Sequence, residues 1–212
     1  MNLADMRTQY TGGKLQRADL HADPFEQFGL WLQEATAAGI PEPNAMSLAT
    51  TPATARPSLR TVLLKQFDTR GFVFFTNLES RKARELADNP CAALLFPWLA
   101  LQRQVIIEGT VARISTAEVI AYFAQRPLGS QLAAWASPQS MIVESRKMLE
   151  MQWERMKQKF ADGKVPMPSF WGGYRVTPQR IEFWQGRDNR LHDRFQYTPA
   201  DGGSWKIERL AP

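Results

Sequence analysis

Residues 60–82 constrain the fold most strongly, because this stretch contains two runs of strand-forming residues with a turn-forming segment between them. The runs are RTVLLK at 60–65 and GFVFFTN at 71–77, and the segment between them extends from Phe67 to Gly71. β-Branched and aromatic runs on either side of a turn are typical of a hairpin. The stretch therefore predicts a pair of antiparallel strands.

Basic residues flank these runs in a pattern that suits anion binding. Arg60 and Lys65 are five residues apart, so strict strand alternation predicts that they point to opposite faces and serve two different anions. Ser80 is typical of a helix N-cap and predicts a short helix from Arg81 to Asn89. Free N–H groups at the start of this helix, together with Arg81 and Lys82, would form a cradle for an anion. Taken alone, the pattern also suits an ordinary hairpin with solvated cations.

The composition is that of one globular domain, with 44% apolar and 22% charged residues in a chain of 212. Cys91 is the only cysteine, which excludes a disulfide framework and favours the cytoplasm. Two histidines far apart in sequence argue against a zinc site, and no metal is predicted. The N-terminus lacks the apolar segment of a signal peptide, and the longest apolar run, Cys91–Leu101, is too short to span a bilayer.

The net charge of +5 and the pI of about 9.6 leave the partner open. A basic protein can bind nucleic acid, but the cations are spread along the chain without a Lys/Arg block or a nucleic-acid motif. A protein that holds two phosphorylated small molecules would show the same charge balance.

The rest of the chain alternates helical and strand patterns. Residues 1–22 are polar and predict a flexible arm, and residues 23–212 predict a single domain. Gly109 interrupts a strand pattern, so we expect a bulge or a close backbone approach there. Four other helices are predicted. The first extends from Asp23 to Gly39, and the second begins at Ser115, which forms a capping box with Glu118, and ends before Pro127. A short third helix ends at Trp135, and the longest extends from Met141 to Ala161. The other predicted strands are Met46–Thr51, Ala92–Trp98, Arg103–Ile114, Gly173–Gln185, Leu191–Tyr197 and Ser204–Arg209.

These elements predict an α+β fold, with about six or seven antiparallel strands in a small barrel and helices inserted between them. On the helix after Ser115, Tyr122 and Arg126 are four residues apart and therefore share a face. Both could bind a ligand. The alternative for Tyr122 is a packing residue, and the alternative for Arg126 is a charge at the helix C-terminus that is favourable to the helix dipole.

A second basic cluster lies near the C-terminus. Arg190, His192 and Arg194 fall at alternate positions of a predicted strand, so we expect all three on one face. Three such groups repel one another unless an anionic or electron-rich ligand lies between them, and nearby Trp184 favours a flat aromatic ligand. A solvated edge strand is the alternative. A Ser-His-Asp site is rejected, because adjacent His192 and Asp193 would face opposite ways and no GxSxG motif is present.

With these segments together, the chain resembles the pyridoxine/pyridoxamine 5′-phosphate oxidases, a family of FMN-binding split barrels. The resemblance covers nearly the whole chain from about residue 7, and its segments occur in the right order. The segments are RTVLLK (60–65), FTNLESRK (75–82), LFPW (95–98), RQV (103–105), PSFWGG (168–173), IEFWQG (181–186), RLHDRF (190–195) and WKIERLAP (205–212).

The resemblance implies a homodimer with FMN at the subunit interface, a small antiparallel split barrel with inserted and flanking helices, and an arm that closes as a lid. It implies the following cofactor ligands: Arg60, Thr61, Val62, Leu63, Leu64, Lys65, Phe75, Thr76, Arg81, Lys82, Gln104, Gln139, Ser140, Trp184 and Arg194. It implies the following substrate ligands: Arg7, Tyr10, Lys65, Tyr122, Arg126, Ser130, Arg190, Leu191 and His192. Arg190 and His192 are the residues expected at the reacting centre, Arg190 to orient the substrate and His192 in a secondary contact.

The implied reaction is the oxidation of pyridoxine 5′-phosphate or pyridoxamine 5′-phosphate to pyridoxal 5′-phosphate. Hydride would pass from C4′ of the substrate to FMN, and O2 would reoxidise the flavin to give H2O2, with NH3 released from the amine. Two alternatives remain from the residues: a split-barrel flavin reductase or other FMN protein with a different substrate, and a basic barrel that binds RNA. Neither nucleic acid nor a membrane is an expected partner.

Overall fold

The structure is a computed structural model that describes residues 2–6 and 9–212, so the expected substrate ligand Arg7 lies outside the described residues. The described ranges contain five α-helices and nine β-strands. The helices are α1 (Pro24–Ala37), α2 (Arg81–Asp88), α3 (Thr116–Gln125), α4 (Leu128–Ala136) and α5 (Arg146–Lys159). The strands are β1 (Ala45–Thr50), β2 (Ser58–Leu63), β3 (Gln66–Asp68), β4 (Gly71–Asn77), β5 (Cys91–Trp98), β6 (Arg103–Arg113), β7 (Trp171–Gln185), β8 (Asp193–Pro199) and β9 (Trp205–Leu210).

The strands form one antiparallel sheet that curls back on itself. Its order is β2-β1-β5-β6-β7-β4-β3, and β8 joins β7 to β9. The edge strand β2 approaches β4 near the other end of this path, which brings the two ends of the sheet together. The predicted α+β fold built on a small split barrel is confirmed, with nine strands rather than six or seven.

A bulge in the β6–β7 pair directs the path of the longest strand. The register shifts between Glu108 and Gly109, and a Cβ on Gly109 would lie 2.0 Å from the carbonyl oxygen of Thr177. Only glycine allows this approach without a shift of backbone. The prediction of a close approach at Gly109 is confirmed. Beyond the bulge, β7 exchanges its partner β4 for β8.

Helix α1 supplies much of the core. Asp23 caps it by accepting the N–H of Phe25 at 2.7 Å, and Pro24 occupies the first position. The ring of fully buried Phe28 lies 4.9–5.0 Å from those of Phe67, Phe72 and Phe96. The helix thereby connects β3 and β4, at one end of the sheet path, with β5, which lies nearer to the other end.

The predicted hairpin between residues 60–65 and 71–77 is wrong in its pairing. Strand β2 pairs with β1, whereas β4 pairs with β3 and β7. The chain crosses between the two pairs at Leu64 and Lys65, where the Leu64 N–H donates to the oxygen of Asn44 and the Lys65 N–H to that of Val73. The hairpin turn is therefore at residues 69–70, between β3 and β4.

The predicted helix Met141–Ala161 is shorter in the structure. It begins at Arg146, where Ser145 accepts the N–H of Met148, and its 14 residues equal those of α1. The helix begins after Ser145 because the hydroxyl of this residue accepts a free N–H group of the first helical turn. Helix α2 and the capping box of Ser115 agree with prediction, although the Ser80 side chain makes no capping bond.

Part of the predicted arm packs on the barrel. The N–H groups of Thr11 and Gly12 donate to Gln102 Oε1 at 2.9 and 2.8 Å, and Leu15 and Leu20 are buried. The division into an arm (1–22) and a domain (23–212), and the motion of the arm as a lid, stay predictions. Across the described residues, no helix has the length and apolar character needed to cross a membrane.

Candidate functional site

A cleft of about 410 Å³ lies where β2 and β4 face helices α3 and α4. Eleven of the residues that the resemblance implies as ligands line it: Arg60, Thr61, Val62, Leu63, Lys65, Phe75, Thr76, Lys82, Tyr122, Arg126 and Gln139. Residues 60–63 of the edge strand β2 and the following Lys65 reach the cleft as one segment, from which only Leu64 is directed into the core. The volume is within the usual range for small-molecule sites, about 300–1,000 Å³.

The cleft is strongly basic. Arg60, Lys65, Lys82 and Arg126 line it, and no aspartate or glutamate is among the lining residues of the described chain. Concentrated positive charge in a concave site favours an anionic ligand. The expectation that Arg60 and Lys65 face opposite sides is wrong, because β2 ends at Leu63 and strand alternation does not extend to Lys65.

Lys82 is the buried cation of this cleft, with 8% of its surface exposed. Its Nζ donates to Gln139 Oε1 at 2.9 Å and to Thr76 Oγ1 at 3.1 Å. Burial and, to a smaller extent, the charge of Arg60 lower the pKa of Lys82 against the opposing effect of Glu85, and the net result is a pKa of about 8. A buried ammonium with a weakly held proton is stabilised when an anion binds beside it.

Glu85 joins Arg81, an arginine of the predicted cradle, to Arg60. It is 5% exposed, and it accepts hydrogen bonds from Arg81 Nε at 2.7 Å and from Arg60 Nη2 at 3.2 Å. Burial opposes its ionisation, but hydrogen bonds from Ser58, Thr50 and the two arginines outweigh this and lower the pKa of Glu85 to about 2. Sequence reasoning missed Glu85, although its i,i+4 spacing from Arg81 was a signal.

Arg126 is a cation without a counter-ion among the described residues. Its guanidinium lies 4.8 Å from the ring centroid of Trp171, and its Nη1 is buried without a hydrogen-bond partner there. Burial lowers the pKa of Arg126, and the neighbouring Tyr122 opposes this shift. An unsatisfied buried donor costs about 1–3 kcal/mol, so this group is suited to receive an anion from outside the chain.

Aromatic rings fix this side of the cleft. Tyr122 stacks on Phe75 with ring centroids 3.9 Å apart, and Phe75 stacks on Trp171 at 5.2 Å. The face shared by Tyr122 and Arg126, predicted from their spacing, is therefore directed at the cleft. Trp171 lines it as well, and sequence reasoning assigned it no role although it lies in the matching segment PSFWGG.

A second group of expected ligands lies around the far end of β7. Tyr10 packs edge-on against Trp184 and His192, with ring centroids 5.7 and 5.4 Å apart, and Trp184 lies 4.6 Å from His192. Gln104 and Arg194 are the strand neighbours of Trp184. Arg194 donates to Glu182 Oε1 and Oε2 at 2.8 and 3.0 Å.

The prediction that Arg190, His192 and Arg194 share a strand face is wrong. Strand β8 begins at Asp193, and Arg190 has a positive φ of 60° in a tight turn. The turn forms because the Leu191 N–H donates to Asp188 O and the Arg187 N–H donates to His192 Nδ1 at 3.0 Å. Strand alternation therefore applies only to Arg194.

The remaining expected ligands lie outside the cleft. Leu64 is buried in the core, Arg81 is exposed beside Glu85, and Ser140 is an exposed residue with a φ of 69°. Ser130 is half-buried in the first turn of α4, and Leu191 is exposed. Within the described ranges, no group of three or more His, Cys, Asp or Glu residues could hold a metal ion.

The chain matches two known protein families. Residues 32–160 match the family described as pyridoxamine 5′-phosphate oxidase, and residues 171–212 match the pyridoxine 5′-phosphate oxidase C-terminal dimerisation region. Proteins named pyridoxine/pyridoxamine 5′-phosphate oxidase from Crocosphaera subtropica and Teredinibacter turnerae are 59% and 56% identical to it, and each alignment covers 100% of both chains.

Solved structures show the same architecture. PhzG from Burkholderia lata, crystallised with tetrahydrophenazine-1-carboxylic acid, is 30% identical with a TM-score of 0.88, over 97% of this chain and 100% of that one. An FMN-binding protein from Nostoc punctiforme, related to pyridoxamine 5′-phosphate oxidase, has a TM-score of 0.72 over 91% of this chain and 100% of its own. At 17% identity, this second likeness concerns the fold alone.

Proposed function

Because the chain belongs to the pyridoxine/pyridoxamine 5′-phosphate oxidase family, we propose that it is an FMN-dependent enzyme that oxidises pyridoxine 5′-phosphate and pyridoxamine 5′-phosphate to pyridoxal 5′-phosphate. O2 is the proposed electron acceptor, with H2O2 as its product and NH3 released from the amine. The observation that carries the proposal is the basic cleft, where cations on α2 and β2, and cations that shortly follow β2 and α3, surround a space of ligand size.

The residues of the cleft fit the cofactor. Lys82 and Arg60 in the cleft, together with Arg81 outside it, supply positive charge for the phosphate. Residues 61–63 with Phe75 and Thr76 supply an apolar and main-chain surface for a flat ring system. These residues would hold FMN, which would supply the redox chemistry of the reaction, as acceptor of the hydride from C4′ of the substrate and donor of electrons to O2. The protein contributes binding, orientation and the local charge.

A second anion fits the other cationic residues of the cleft. Arg126, whose Nη1 is unsatisfied, would hold the substrate phosphate together with Tyr122, Lys65 and Ser130. Anchoring a phosphate fixes one end of the small substrate and so limits how its reactive carbon can lie. Arg190 would orient the pyridine ring at the reacting centre, and His192 would add a secondary contact.

The match to a dimerisation region indicates a homodimer, and we place FMN at its interface. The second group of ligands, around Trp184, His192 and Arg194, does not line the cleft of its own chain. Trp184 lies 13 residues after the cleft residue Trp171 along β7, and this separation is up to about 43 Å in an extended strand. These residues lie within the matched region 171–212, so a second subunit could bring them to the cleft.

The proposal is tested by an anaerobic titration. Pyridoxine 5′-phosphate is added to the purified protein, and the visible flavin absorbance is followed before and after air is admitted. We expect bleaching that air reverses. A yellow protein that does not bleach would keep the fold and indicate a different flavin substrate. A colourless protein that does not take up FMN would contradict the proposal and leave a basic barrel that binds RNA, whose affinity would fall steeply with salt.

A cytoplasmic location is proposed because the single Cys91 suits a reducing compartment. Fractionation of cells that produce the protein would test this, and recovery outside the cytoplasm would contradict it.

A further inference from the structure

We propose that Glu85 is a positioning residue for the cofactor phosphate, which acts by holding Arg81 in the conformation that receives the anion. The inference rests on the proposed function, because it concerns the FMN phosphate. Glu85 lies on α2, one turn after Arg81, and it does not line the cleft itself. It therefore acts through other side chains.

The carboxylate of Glu85 divides its two oxygens between different partners. Oε1 accepts the N–H of Arg81 Nε at 2.7 Å. Oε2 accepts hydrogen bonds from the hydroxyls of Thr50 and Ser58 and from Arg60 Nη2. Thr50 and Ser58 face each other in the β1–β2 pair, so the carboxylate connects helix α2 to the edge of the sheet. A buried carboxylate with several donors has little freedom to move.

The two arginines use their donors differently. A guanidinium has five N–H groups. Arg60 uses four of them: Nη1 donates to Leu48 O and to Thr50, and Nη2 donates to Ser58 and Glu85. Arg81 uses only Nε among the described residues, and its side chain is 60% exposed. The four terminal N–H groups of Arg81 remain for a ligand, and two of them can bind one phosphate in parallel.

The negative charge of Glu85 also opposes an anion, so two effects compete. The two arginines already neutralise that charge, and with protonated Lys82 the four groups carry a net charge of +2 (three cations minus one anion). Without Glu85, an exposed arginine would move freely among many rotamers and lose that freedom on binding. We expect the loss of orientation to outweigh the loss of repulsion.

The test compares FMN with riboflavin, which lacks the phosphate. Dissociation constants of both ligands are measured by flavin fluorescence with apoprotein of the wild type, of Glu85→Gln and of Asp88→Asn. Asp88 is exposed on the same helix, so its variant matches the charge change. We expect Glu85→Gln to weaken FMN binding about tenfold, the weight of one charge-assisted hydrogen bond, and to leave riboflavin within about twofold. Asp88→Asn should change neither constant.

A double-mutant cycle with Arg81→Gln isolates the route of the effect. If Glu85 acts through Arg81, Glu85→Gln will weaken FMN binding little further in the Arg81→Gln background. An equal loss of affinity for both ligands would overturn the inference, because it would indicate a general structural role. Unchanged or tighter FMN binding would overturn it as well.

Two further measurements keep these outcomes distinct. Thermal unfolding of each apoprotein shows whether Glu85→Gln is folded, and Glu85→Asp, which withdraws the carboxylate by one methylene, is the second variant if it is not. We expect Glu85→Asp to lower the preference for FMN in the same direction, and an unchanged preference would count against the proposal. A wild type that binds riboflavin as tightly as FMN would contradict the proposed function instead.

Discussion

The titration of Lys82 gives a direct prediction about the pH dependence of cofactor binding. This lysine is buried, and its pKa in the ligand-free protein is about 8, below the usual 10.5, because of burial and the nearby Arg60. A phosphate beside it favours the ammonium form and raises its pKa. A lowered pKa means that the free protein loses this proton as pH rises through 8. FMN binding is therefore strongest below pH 8 and weakens progressively above it.

The magnitude follows from this single proton. If the complex keeps Lys82 protonated up to pH 9, the dissociation constant grows in proportion to 1 + 10^(pH − 8), as linkage requires. It rises about tenfold between pH 7 and pH 9, which is about 1.4 kcal/mol. The phosphate itself is almost fully ionised over this range, since its second pKa is about 6. Arginines and the ionised Glu85 also keep their charges.

The assay measures the dissociation constant of FMN by fluorescence at several pH values between 7 and 9. Lys82→Gln keeps a polar side chain without the charge, so we expect weaker binding at pH 7 and a flat profile. Riboflavin should show little pH dependence with either protein. A flat profile for the wild type, or the same slope in Lys82→Gln, would refute the assignment of the proton to Lys82.

Three further predictions concern other parts of the molecule. Gly109→Ala should lower the free energy of unfolding, measured in urea, by about 1–3 kcal/mol, because the new Cβ would lie 2.0 Å from Thr177 O. Gly13→Ala is the control and should leave the stability unchanged, because no atom beyond the adjacent residues lies within 4 Å of the added Cβ; equal effects of the two variants would contradict the bulge argument. Arg126→Gln should raise the KM for pyridoxine 5′-phosphate roughly 10- to 100-fold and leave FMN affinity unchanged, and weakened FMN binding would assign Arg126 to the cofactor instead. Arg190→Ala should lower turnover measured by steady-state kinetics, since this residue is expected to orient the substrate, and near-normal turnover would remove that role.

The sequence by itself determined those features that depend on neighbouring residues. The cap at Asp23 and the capping box at Ser115 follow from hydrogen bonds within a few residues, and the structure contains both. The short helix after Ser80 is also present, although the Ser80 side chain makes no capping bond. Gly109 within a strand pattern predicted a bulge or a close approach of another backbone segment, because a glycine inside a strand usually marks one of these two features. The helical spacing of Tyr122 and Arg126 likewise predicted a shared face, and in the structure both side chains line the cleft.

Tertiary structure alone decided which segments meet. The runs at 60–65 and 71–77 have the pattern of a hairpin, yet each pairs with a different strand. Strand pairing depends on how side chains pack and are buried across the whole sheet, and local sequence does not determine this. Arg190 lies in a turn before β8 rather than in the expected strand, and this turn is held by the bond from the Arg187 N–H to His192 Nδ1, a contact that the strand pattern did not indicate. The hydrogen bonds of Glu85 to Thr50 and Ser58 form because α2 packs beside β1 and β2, which lie far from it in sequence. Local propensity acts over a few residues, whereas burial and hydrogen-bond partners come from residues far apart in sequence, and the functional site is built from the latter.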